Sequence, residues 1–465
     1  MYNPQKKAHI HFIGIGGIGM SGIATILRTQ GYSISGCDID LDQSSIQKLK
    51  HIGCSIHEGN NTLQCHDPSI DIVVYSSAIQ ATNPEIFAAQ QRGIPTISRA
   101  LMLAELMRTK YSVAIAGSHG KTTTTSLVSH ILMEAGLDPT VIIGGHLQTI
   151  SNNARMGSGE FLVAEADESD RSFLHLQATL AIVTNIDLEH LETYKNLEDI
   201  KQTFKQFLNN LPFYGKAIVC IDDENVRSLL PMNHIKTIQY GLTSDADIYA
   251  LDIQLHPDHA TCIVHKKNHS EPLGLLHSNM PGRHNILNSL GACTLALELG
   301  IPFSTIVQAL KTFKGIERRF TYRGIFQGAE IFDDYGHHPK EIASTLMVAQ
   351  QRAKKSLTVI FQPHRYTRTY KLWDDFVQTF LTAQIDHLVI TDIYAASEAP
   401  IDNINSEELV ESIKKLNPNF KVTYLPFDED FTHLKQYLTQ HTGQDDLLLL
   451  LGAGKLNKLA CQLAQ

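Results

Sequence analysis

The chain has 465 residues, of which 43% are hydrophobic and 19% are charged, and its 39 basic and 48 acidic side chains give a formal net charge of −9. At roughly 100–200 residues per domain it holds two to four domains, which excludes a miniprotein, and its hydrophobic content excludes a disordered tail. The mildly acidic balance, without a long Lys/Arg run, argues against nucleic acid as a partner.

Two features bear on where the chain works. Its seven cysteines are scattered and form no C-x-x-C pair, which argues against a disulfide framework and favours the reducing cytoplasm. The apolar stretch 8–27 has the length of a membrane segment, but five glycines and two histidines interrupt it. We therefore predict a strand, a turn and a helix there, and no membrane insertion.

Short apolar runs alternate with helical patterns along the whole chain, which is typical of βαβ units and predicts an α/β protein with mostly parallel sheets. In the first part, the pattern predicts a helix over 19–31 and strands over 9–15, 32–38 and 70–77. A charged stretch over 107–110 precedes a fresh apolar strand. We place the first domain boundary there, which gives a first domain over 1–109.

The middle part continues the alternation. It predicts strands over 111–117, 160–167 and 178–186 and helices over 122–136, 196–211 and 284–300. Residues 236–276 alternate in short segments, for which we expect antiparallel strands. The basic, glycine-flanked stretch 314–324 marks the second boundary, so the middle domain covers 110–318.

The last part, 319–465, has five strand candidates, which begin at 330, 357, 387, 420 and 446. Helix-like stretches follow the first four. This pattern predicts a third, doubly wound domain.

A first glycine loop, G-I-G-G-I-G, lies between the first strand and the first helix and contains Gly16, Gly17, Ile18 and Gly19. With Asp38 at the end of the next strand it matches a dinucleotide fingerprint, in which the acidic residue faces a ribose hydroxyl. The loop does not distinguish NAD from another nucleotide diphosphate. A tight turn that needs glycine only for packing is the alternative.

A second loop is more specific, since its lysine and threonine match a phosphate-binding loop for ATP or GTP. Its residues are Gly117, Ser118, His119, Gly120, Lys121, Thr122 and Thr123. Ile115 stands where the longer Walker pattern has its first glycine, so the loop is a shortened relative. A purely structural turn is the alternative, and the GAGKL sequence at 452–456 is a decoy because leucine replaces Ser/Thr.

Two acidic motifs, EADESD at 165–170 and TNIDLEH at 184–190, follow predicted strands. Carboxyl ends of neighbouring parallel strands meet at one edge of a sheet, so Glu165 and His190 are expected near one Mg²⁺ cluster. A solvated acidic loop is the alternative.

In the third domain, the stretches 332–339 and 361–369 also follow strands and carry His337, His338 and His364. Arg365 and Arg368 match anion clamps, although surface histidines and solvated arginines are the plainer interpretation. Two nucleotide-type loops and an arginine-bearing edge in one chain indicate ATP-driven joining of a bulky anion.

These motifs together resemble the Mur ligases. The motifs are GIGGIGMSG, SSAI, GSHGKTTTT, EADESD, TNIDLEH, GRHNILN, ERRF, DDYGHHP and FQPHRYTRT. The resemblance implies an N-terminal Rossmann-like domain, a central P-loop ATPase-like domain with a mixed sheet, and a C-terminal Rossmann-like domain that closes on ATP. It also implies that L-alanine is joined to the lactyl carboxylate of UDP-N-acetylmuramate through an acyl phosphate, in cytoplasmic peptidoglycan precursor synthesis, with ATP and Mg²⁺.

The resemblance also implies residue roles. Lys121 would hold the phosphates, Thr122 and Glu165 one Mg²⁺, and His190 a second. Asn285 would contact adenine, Arg319 the phosphates and Asp334 the ribose. The residues Gly16 to Gly19, Ser76 and Ser77 would receive the UDP part, and Tyr335, His337, His364, Arg365 and Arg368 would lie near the lactyl group and alanine.

Several alternatives stay open at this point. A sister ligase that joins recycled murein tripeptide or another amino acid fits the same motifs. An NAD-dependent oxidoreductase fits the first loop but leaves the second loop unexplained, and a regulatory nucleotide-binding module would bind ATP without chemistry. We identify no lysine equivalent to the carbamylated lysine of some relatives, and the sequence leaves a monomer or a dimer equally open.

Overall fold

A computed structural model describes residues 7–59, 67–76, 79–80, 82–147, 152–396 and 398–464. The chain is divided into two compact units. The first comprises 1–253, 261–278 and 285–314, and the second comprises 254–260, 279–284 and 315–465. No helix within the described ranges is long and apolar enough to cross a membrane.

A five-stranded parallel sheet with the order β3-β2-β1-β4-β5 opens the first unit. Its elements are β1 (His9–Ile13), α1 (Ile18–Thr29), β2 (Ser33–Asp38), α2 (Ser44–His51), β3 (Ser55–Glu58), β4 (Ile72–Tyr75), α3 (Pro84–Gln91), β5 (Thr96–Ser98) and α4 (Arg99–Met107). Strand β1 alternates its faces, so Ile10 and Phe12 pack in one core cluster and Ile13 in another. Strands β2 and β3 lie on one side of β1, and β4 and β5 lie on the other. The loop after β1 therefore lies at the topological switch point, where such sheets bind ligands.

A ten-stranded sheet with the order β15-β14-β13-β12-β11-β10-β6-β9-β7-β8 follows. Its elements are β6 (Tyr111–Ala116), α5 (Lys121–Glu134), β7 (Thr140–Leu147), β8 (Asn152–Arg155), β9 (Phe161–Glu165), a 3₁₀ turn (Ser172–His175), β10 (Leu180–Val183), α6 (Leu197–Asn209), β11 (Lys216–Cys220), α7 (Glu224–Arg227), β12 (Lys236–Gly241), β13 (Ile248–Leu255), β14 (Ala260–Lys266), β15 (Gly274–Ser278), α8 (Arg283–Glu298) and α9 (Phe303–Thr312).

Strand directions in this sheet confirm its mixed character. Strand β6 pairs parallel with both β9 and β10, whereas β7 and β8 are antiparallel. The prediction of antiparallel strands over 236–276 is wrong for its first two strands, because β12 is parallel to both β11 and β13. The alternation of side chains is the same in both directions and does not distinguish them.

The second unit contains a six-stranded sheet with the order β16-β17-β21-β18-β19-β20. Its elements are β16 (Thr321–Phe326), β17 (Ala329–Asp334), α10 (Pro339–Arg352), β18 (Leu357–Phe361), α11 (Tyr366–Lys371), α12 (Trp373–Thr382), β19 (His387–Ile390), α13 (Ser406–Leu416), β20 (Val422–Tyr424), α14 (Thr432–His441), β21 (Leu447–Leu451) and α15 (Leu456–Leu463).

Strand β21 is the centre of this sheet. Its five leucines are all buried, and they alternate between two core clusters on opposite faces. A continuous apolar run is what a parallel strand covered on both faces requires. Only β16 pairs antiparallel in the registers of this sheet, so the carboxyl ends of β17, β21 and β18 share one edge.

Candidate active site

The second glycine loop connects β6 to α5 in the way the sequence predicts. Gly117 has a φ of 142° and Gly120 a φ of 79°, values that side chains strain to adopt. Gly120 is also the residue before the first turn of α5. The amide groups of a first helical turn have no partner within the helix, so the start of α5 is a favourable place for phosphate oxygens.

The turn after β10 fixes this loop from the side. Asn185 Oδ1 accepts a hydrogen bond from the His119 amide (2.7 Å), and Thr184 Oγ1 donates one to the His119 carbonyl (2.7 Å). Ser118 Oγ accepts from the Asp187 amide (2.8 Å). The TNID part of the second acidic motif therefore holds the shape of the loop, a role that the sequence did not reveal.

Lys121 lies at the start of α5 with its ammonium turned back over the loop. Its Nζ donates to the carbonyl oxygens of Gly117 (2.6 Å) and Ser118 (3.1 Å) and lies 2.9 Å from Glu168 Oε1. Burial by itself lowers the pKa of Lys121, but the charges of Glu168 and Asp167 hold this pKa above its usual range. The lysine is therefore a permanent positive charge at the loop.

His190 lies beside this lysine in a cluster of carboxylates. Its Nε2 is 3.4 Å from Glu168 Oε1 and 3.9 Å from Glu189 Oε2, and its Nδ1 is 3.6 Å from Glu192. Burial opposes the charged ring, but hydrogen bonds that the ring donates to Glu168 and Glu192 raise the pKa of His190 to about 9. One ligand atom each from Glu168, Glu189 and His190 lie within 4.8 Å of one another.

Three further predicted residues lie around this loop. Thr122 is half-buried and Thr123 is buried in the first turn of α5. Glu165 ends β9, and its carboxylate approaches Gly144 so closely that a Cβ there would collide with it. The group within 4.8 Å contains His190 but not Glu165.

Asn285 is linked to the loop through a second asparagine on α8. Asn288 Nδ2 donates to Asn285 Oδ1 (3.2 Å), and Asn288 Oδ1 accepts from Thr124 Oγ1 (3.3 Å). A Cβ on Gly120 would lie only 2.5 Å from Asn288 Oδ1. Residues three apart share one helix face, so the spacing N-x-x-N within HNILN was the signal for Asn288.

The first glycine loop borders a cavity of about 340 Å³. Gly16, Gly17 and Ile18 line it, together with residues that the sequence did not single out: Ser21, Thr25, Gln43, Ser44, Ser45, Lys48 and Asn153. The N-termini of α1 and α2 both border the cavity, and Ser45 Oγ donates to the Gly16 carbonyl (2.7 Å). Two helix N-termini and one lysine make this cavity suited to an anion.

Asp38 has a structural role in the same loop. It ends β2 as predicted, but Oδ2 accepts from the Gly16 amide (2.8 Å), and Oδ1 accepts from the Asp40 amide (3.2 Å). The residue as a whole is 6% exposed. It therefore stabilises its own loop.

The other predicted residues of this loop lie at its margins. Gly19 lies against Arg99, whose guanidinium occupies the space that a Cβ would need. Ser76 Oγ lies 3.4 Å from the position of a Cβ on Gly14. Ser77 lies outside the described residues.

In the second unit, the buried Asp334 side chain connects the segment before β16 to the turn after β17. Its two oxygens accept from the amides of Phe320 (2.7 Å) and Gly336 (2.7 Å). Burial raises the pKa of this carboxyl, and the charge of Arg319 acts in the opposite direction. Arg319 Nη1 lies 3.7 Å from Glu341 Oε1.

The structure brings four of the five residues predicted near the lactyl group into one cluster. The rings of His337 and His364 are 5.8 Å apart, the His337 ring packs edge-on to Tyr335, and Arg368 Nη1 lies 3.2 Å from His364 Nδ1. Burial lowers the pKa of His337 to about 3 and that of His364 to about 4. Arg365 lies 3.7 Å from Glu398.

His338, a possible metal ligand by sequence, also caps a helix. It is the N-cap of α10, and its Nδ1 accepts from the Lys340 amide (3.4 Å). Its place before Pro339 explains this position, since proline favours the first turn of a helix.

Comparison with known proteins assigns these features to a class. The model of the Mur ligase family, catalytic domain, matches residues 9–111, the Mur ligase middle domain matches 115–296, and the Mur ligase, glutamate ligase domain, matches 318–454. The chain therefore belongs to the Mur ligase family, and its three sheets form the α/β fold of that family.

Individual members of the family are similar to this chain over nearly its full length. The UDP-N-acetylmuramate–L-alanine ligases of Geotalea daltonii and Trichlorobacter lovleyi are 45% and 46% identical over 460 and 461 residues, which cover 99% and 98% of this chain and 98% of each relative. The crystal structure of the UDP-N-acetylmuramate–alanine ligase of Thermotoga maritima is 26% identical, with a TM-score of 0.81 and 98% of both chains covered. A murein peptide ligase of Psychrobacter arcticus is 24% identical, with a TM-score of 0.72 and 98% of both chains covered, and shows a shared fold alone.

Proposed function

We propose that this chain is an ATP-dependent ligase that joins L-alanine to the lactyl carboxylate of UDP-N-acetylmuramate in the synthesis of peptidoglycan precursors. One observation carries the proposal: Lys121, on a phosphate-binding loop, lies within 2.9 Å of a buried carboxylate that also contacts His190. Similarity to alanine ligases over nearly the full chain supports the choice of substrates.

The reaction transfers the terminal phosphoryl group of ATP to the lactyl carboxylate. The amine of alanine then attacks the acyl phosphate, and inorganic phosphate leaves. Charge neutralisation supplies most of the catalysis in phosphoryl transfer. In this chain, we assign the phosphates to the amides at the N-terminus of α5, because the Ser118 and His119 amides already donate to Asn185. The Lys121 ammonium compensates the phosphate charge.

We propose Mg²⁺ as the cation of this site. Carboxylate oxygens are the ligands that Mg²⁺ prefers, and Glu189 offers them next to His190, whereas the Glu168 carboxylate is paired with Lys121. Thr122 and Glu165 are further proposed ligands. When bound, the cation neutralises charge on the phosphoryl group during transfer.

We propose that the cavity beside the first glycine loop receives the UDP part of the sugar nucleotide. The N-termini of α1 and α2 and the Lys48 ammonium would compensate the diphosphate charge. Asn153 donates to the Ile18 carbonyl and to Ser21 Oγ (3.1 Å), and thereby brings strand β8 to the same cavity.

The three-domain division, 1–109, 110–318 and 319–465, is kept as a proposal, with the last domain binding alanine. Within that domain, we assign the lactyl and amine ends to Tyr335, His337, His364, Arg365 and Arg368. The proposed roles of Asn285, Arg319 and Asp334 toward the nucleotide follow from the same family resemblance.

A cytoplasmic location is proposed as well. Five of the six described cysteines are buried, and the six form no disulfide with one another, as is usual for proteins of reducing compartments.

The test is an assay of ADP formation with purified protein, Mg²⁺, ATP and UDP-N-acetylmuramate, in which the amino acid is varied. We expect ADP with L-alanine, and little with murein tripeptide. ADP formation with tripeptide but not with alanine would move the chain to the recycling ligases, and a response to NADH would support the oxidoreductase alternative.

A further inference from the structure

Glu168 is a buried carboxylate that contacts two predicted catalytic side chains at once. Its oxygens lie 2.9 and 2.8 Å from Lys121 Nζ, and Oε1 lies 3.4 Å from His190 Nε2. Only 2% of its side chain is exposed. Its position in EADESD did not distinguish it from the other acidic residues of the motif.

The backbone around Glu168 fixes the direction of this carboxylate. Its carbonyl oxygen accepts from the Tyr194 hydroxyl (2.5 Å) and from the Arg171 amide (3.1 Å). Tyr194 is itself 2% exposed. The carboxylate is therefore held in place by a packed turn, not by a flexible surface loop.

The N–H donors of Lys121 already have partners in the structure. An ammonium group has three N–H donors, and Lys121 directs them to the Gly117 carbonyl, the Ser118 carbonyl and Glu168. A phosphate oxygen that takes an N–H donor of Nζ for itself must replace one of these three partners. The two carbonyls belong to the loop itself, whereas Glu168 carries the same sign of charge as the phosphate.

We propose that Glu168 is a positioning residue of the phosphate site, which holds Lys121 and His190 in a common geometry and gives up Lys121 to the polyphosphate when nucleotide binds. This inference rests on the proposed function, since it assumes that ATP binds this loop. It assigns Glu168 two opposite effects: it competes with nucleotide for Lys121, and it aligns Lys121 with His190 for the reaction.

The test compares Glu168→Gln with Asp167→Asn. Both changes remove one negative charge that acts on Lys121, but the Asp167 carboxylate contacts Arg99 (3.4 Å) and not Lys121 Nζ. We expect E168Q to bind ADP in EDTA at least threefold more tightly than D167N does, by isothermal titration calorimetry. We also expect its kcat to fall at least tenfold without a rise in KM for ATP.

Two results would overturn the proposal: ADP affinity of E168Q no higher than that of D167N, or an unchanged kcat. Glu168→Asp keeps the charge but withdraws it by one methylene, so both readouts are expected between those of wild type and E168Q. If E168Q does not fold, an unchanged ADP affinity of E168D overturns the proposal instead. The ADP titration needs neither sugar nucleotide nor alanine, so it is independent of the proposed function. If the wild-type protein binds ADP but makes no product, the proposed function is refuted, and the ADP affinities of the variants still decide the role of Glu168.

Discussion

Gly120 lies directly against Asn288, so closely that a Cβ at position 120 would come within 2.5 Å of the Asn288 side-chain oxygen. This contact joins the phosphate-binding loop to helix α8, and a side chain at position 120 would displace the Asn288 amide. The φ of 79° at Gly120 adds a second restriction.

Gly120→Ala should therefore lower nucleotide affinity by more than tenfold, because both the contact and the backbone angle displace the loop. Calorimetric titration with ADP measures this. Gly136→Ala is the matched control, since Gly136 has a φ of 74° but nothing within 4 Å of its Cβ position. The control should lose about 1–2 kcal/mol of stability from backbone strain and keep its ADP affinity; equal ADP losses in both variants would contradict this account of Gly120.

Lys121→Ala should abolish ADP formation while the Kd for UDP-N-acetylmuramate changes by less than about twofold. The lysine supplies charge at the phosphate loop, whereas the sugar-nucleotide cavity is lined by residues of the first glycine loop, α2 and β8. Steady-state assays and sugar-nucleotide titrations on the same preparation measure both effects. Parallel loss of sugar-nucleotide binding would show that the two sites are not separate.

Lys48→Ala should weaken UDP-N-acetylmuramate binding by about tenfold, the size expected for one hydrogen bond to a charged group. Lys50→Ala is the control on the same helix, because Lys50 is also exposed but does not line the cavity. Titration of each variant with the sugar nucleotide measures the two dissociation constants. If the two variants bind equally well, the cavity is not the diphosphate site.

The stability of the second unit should fall in mild acid. Burial lowers the pKa of His387 from 6.5 to about 4, and the charges of Lys421 and His441 act in the same direction. Because the pKa of this ring is lower in the folded than in the unfolded protein, the unfolded protein takes up the proton at the higher pH. The contribution of the neutral ring to stability is therefore complete above about pH 6.5 and is lost as the pH falls toward 4. Urea unfolding at pH 7.5 and pH 5.0 should show a smaller pH difference for His387→Gln than for wild type, and an identical difference would count against a neutral buried ring.

Much of the fold was predictable because periodicity and glycine positions determine it locally. The strands at β1, β2, β6 and β18 and the helices α1 and α5 lie where the sequence places them, within a few residues at their ends. The direction of β13 was not predictable, since a parallel and an antiparallel strand bury the same alternate residues.

The candidate site was predictable where one residue suffices to mark the chemistry, as Lys121 does. It was not predictable where a role depends on tertiary contacts. Glu168 became distinct from its acidic neighbours only through the turn that aims it at Lys121, and Lys48 only through the cavity that it borders. Asp38 matched a ribose-binding pattern but serves its own loop, because the Gly16 amide lies 2.8 Å away.

Transfer of an oxygen isotope tests the central claim most directly. UDP-N-acetylmuramate labelled with ¹⁸O in its lactyl carboxylate is incubated with the protein, Mg²⁺, ATP and L-alanine, and the inorganic phosphate is analysed by mass spectrometry. Because the acyl phosphate keeps one carboxylate oxygen on phosphorus when the amine attacks, we expect one ¹⁸O atom in each phosphate released. Unlabelled phosphate, formed while alanine is joined, would contradict activation of the carboxylate by phosphoryl transfer.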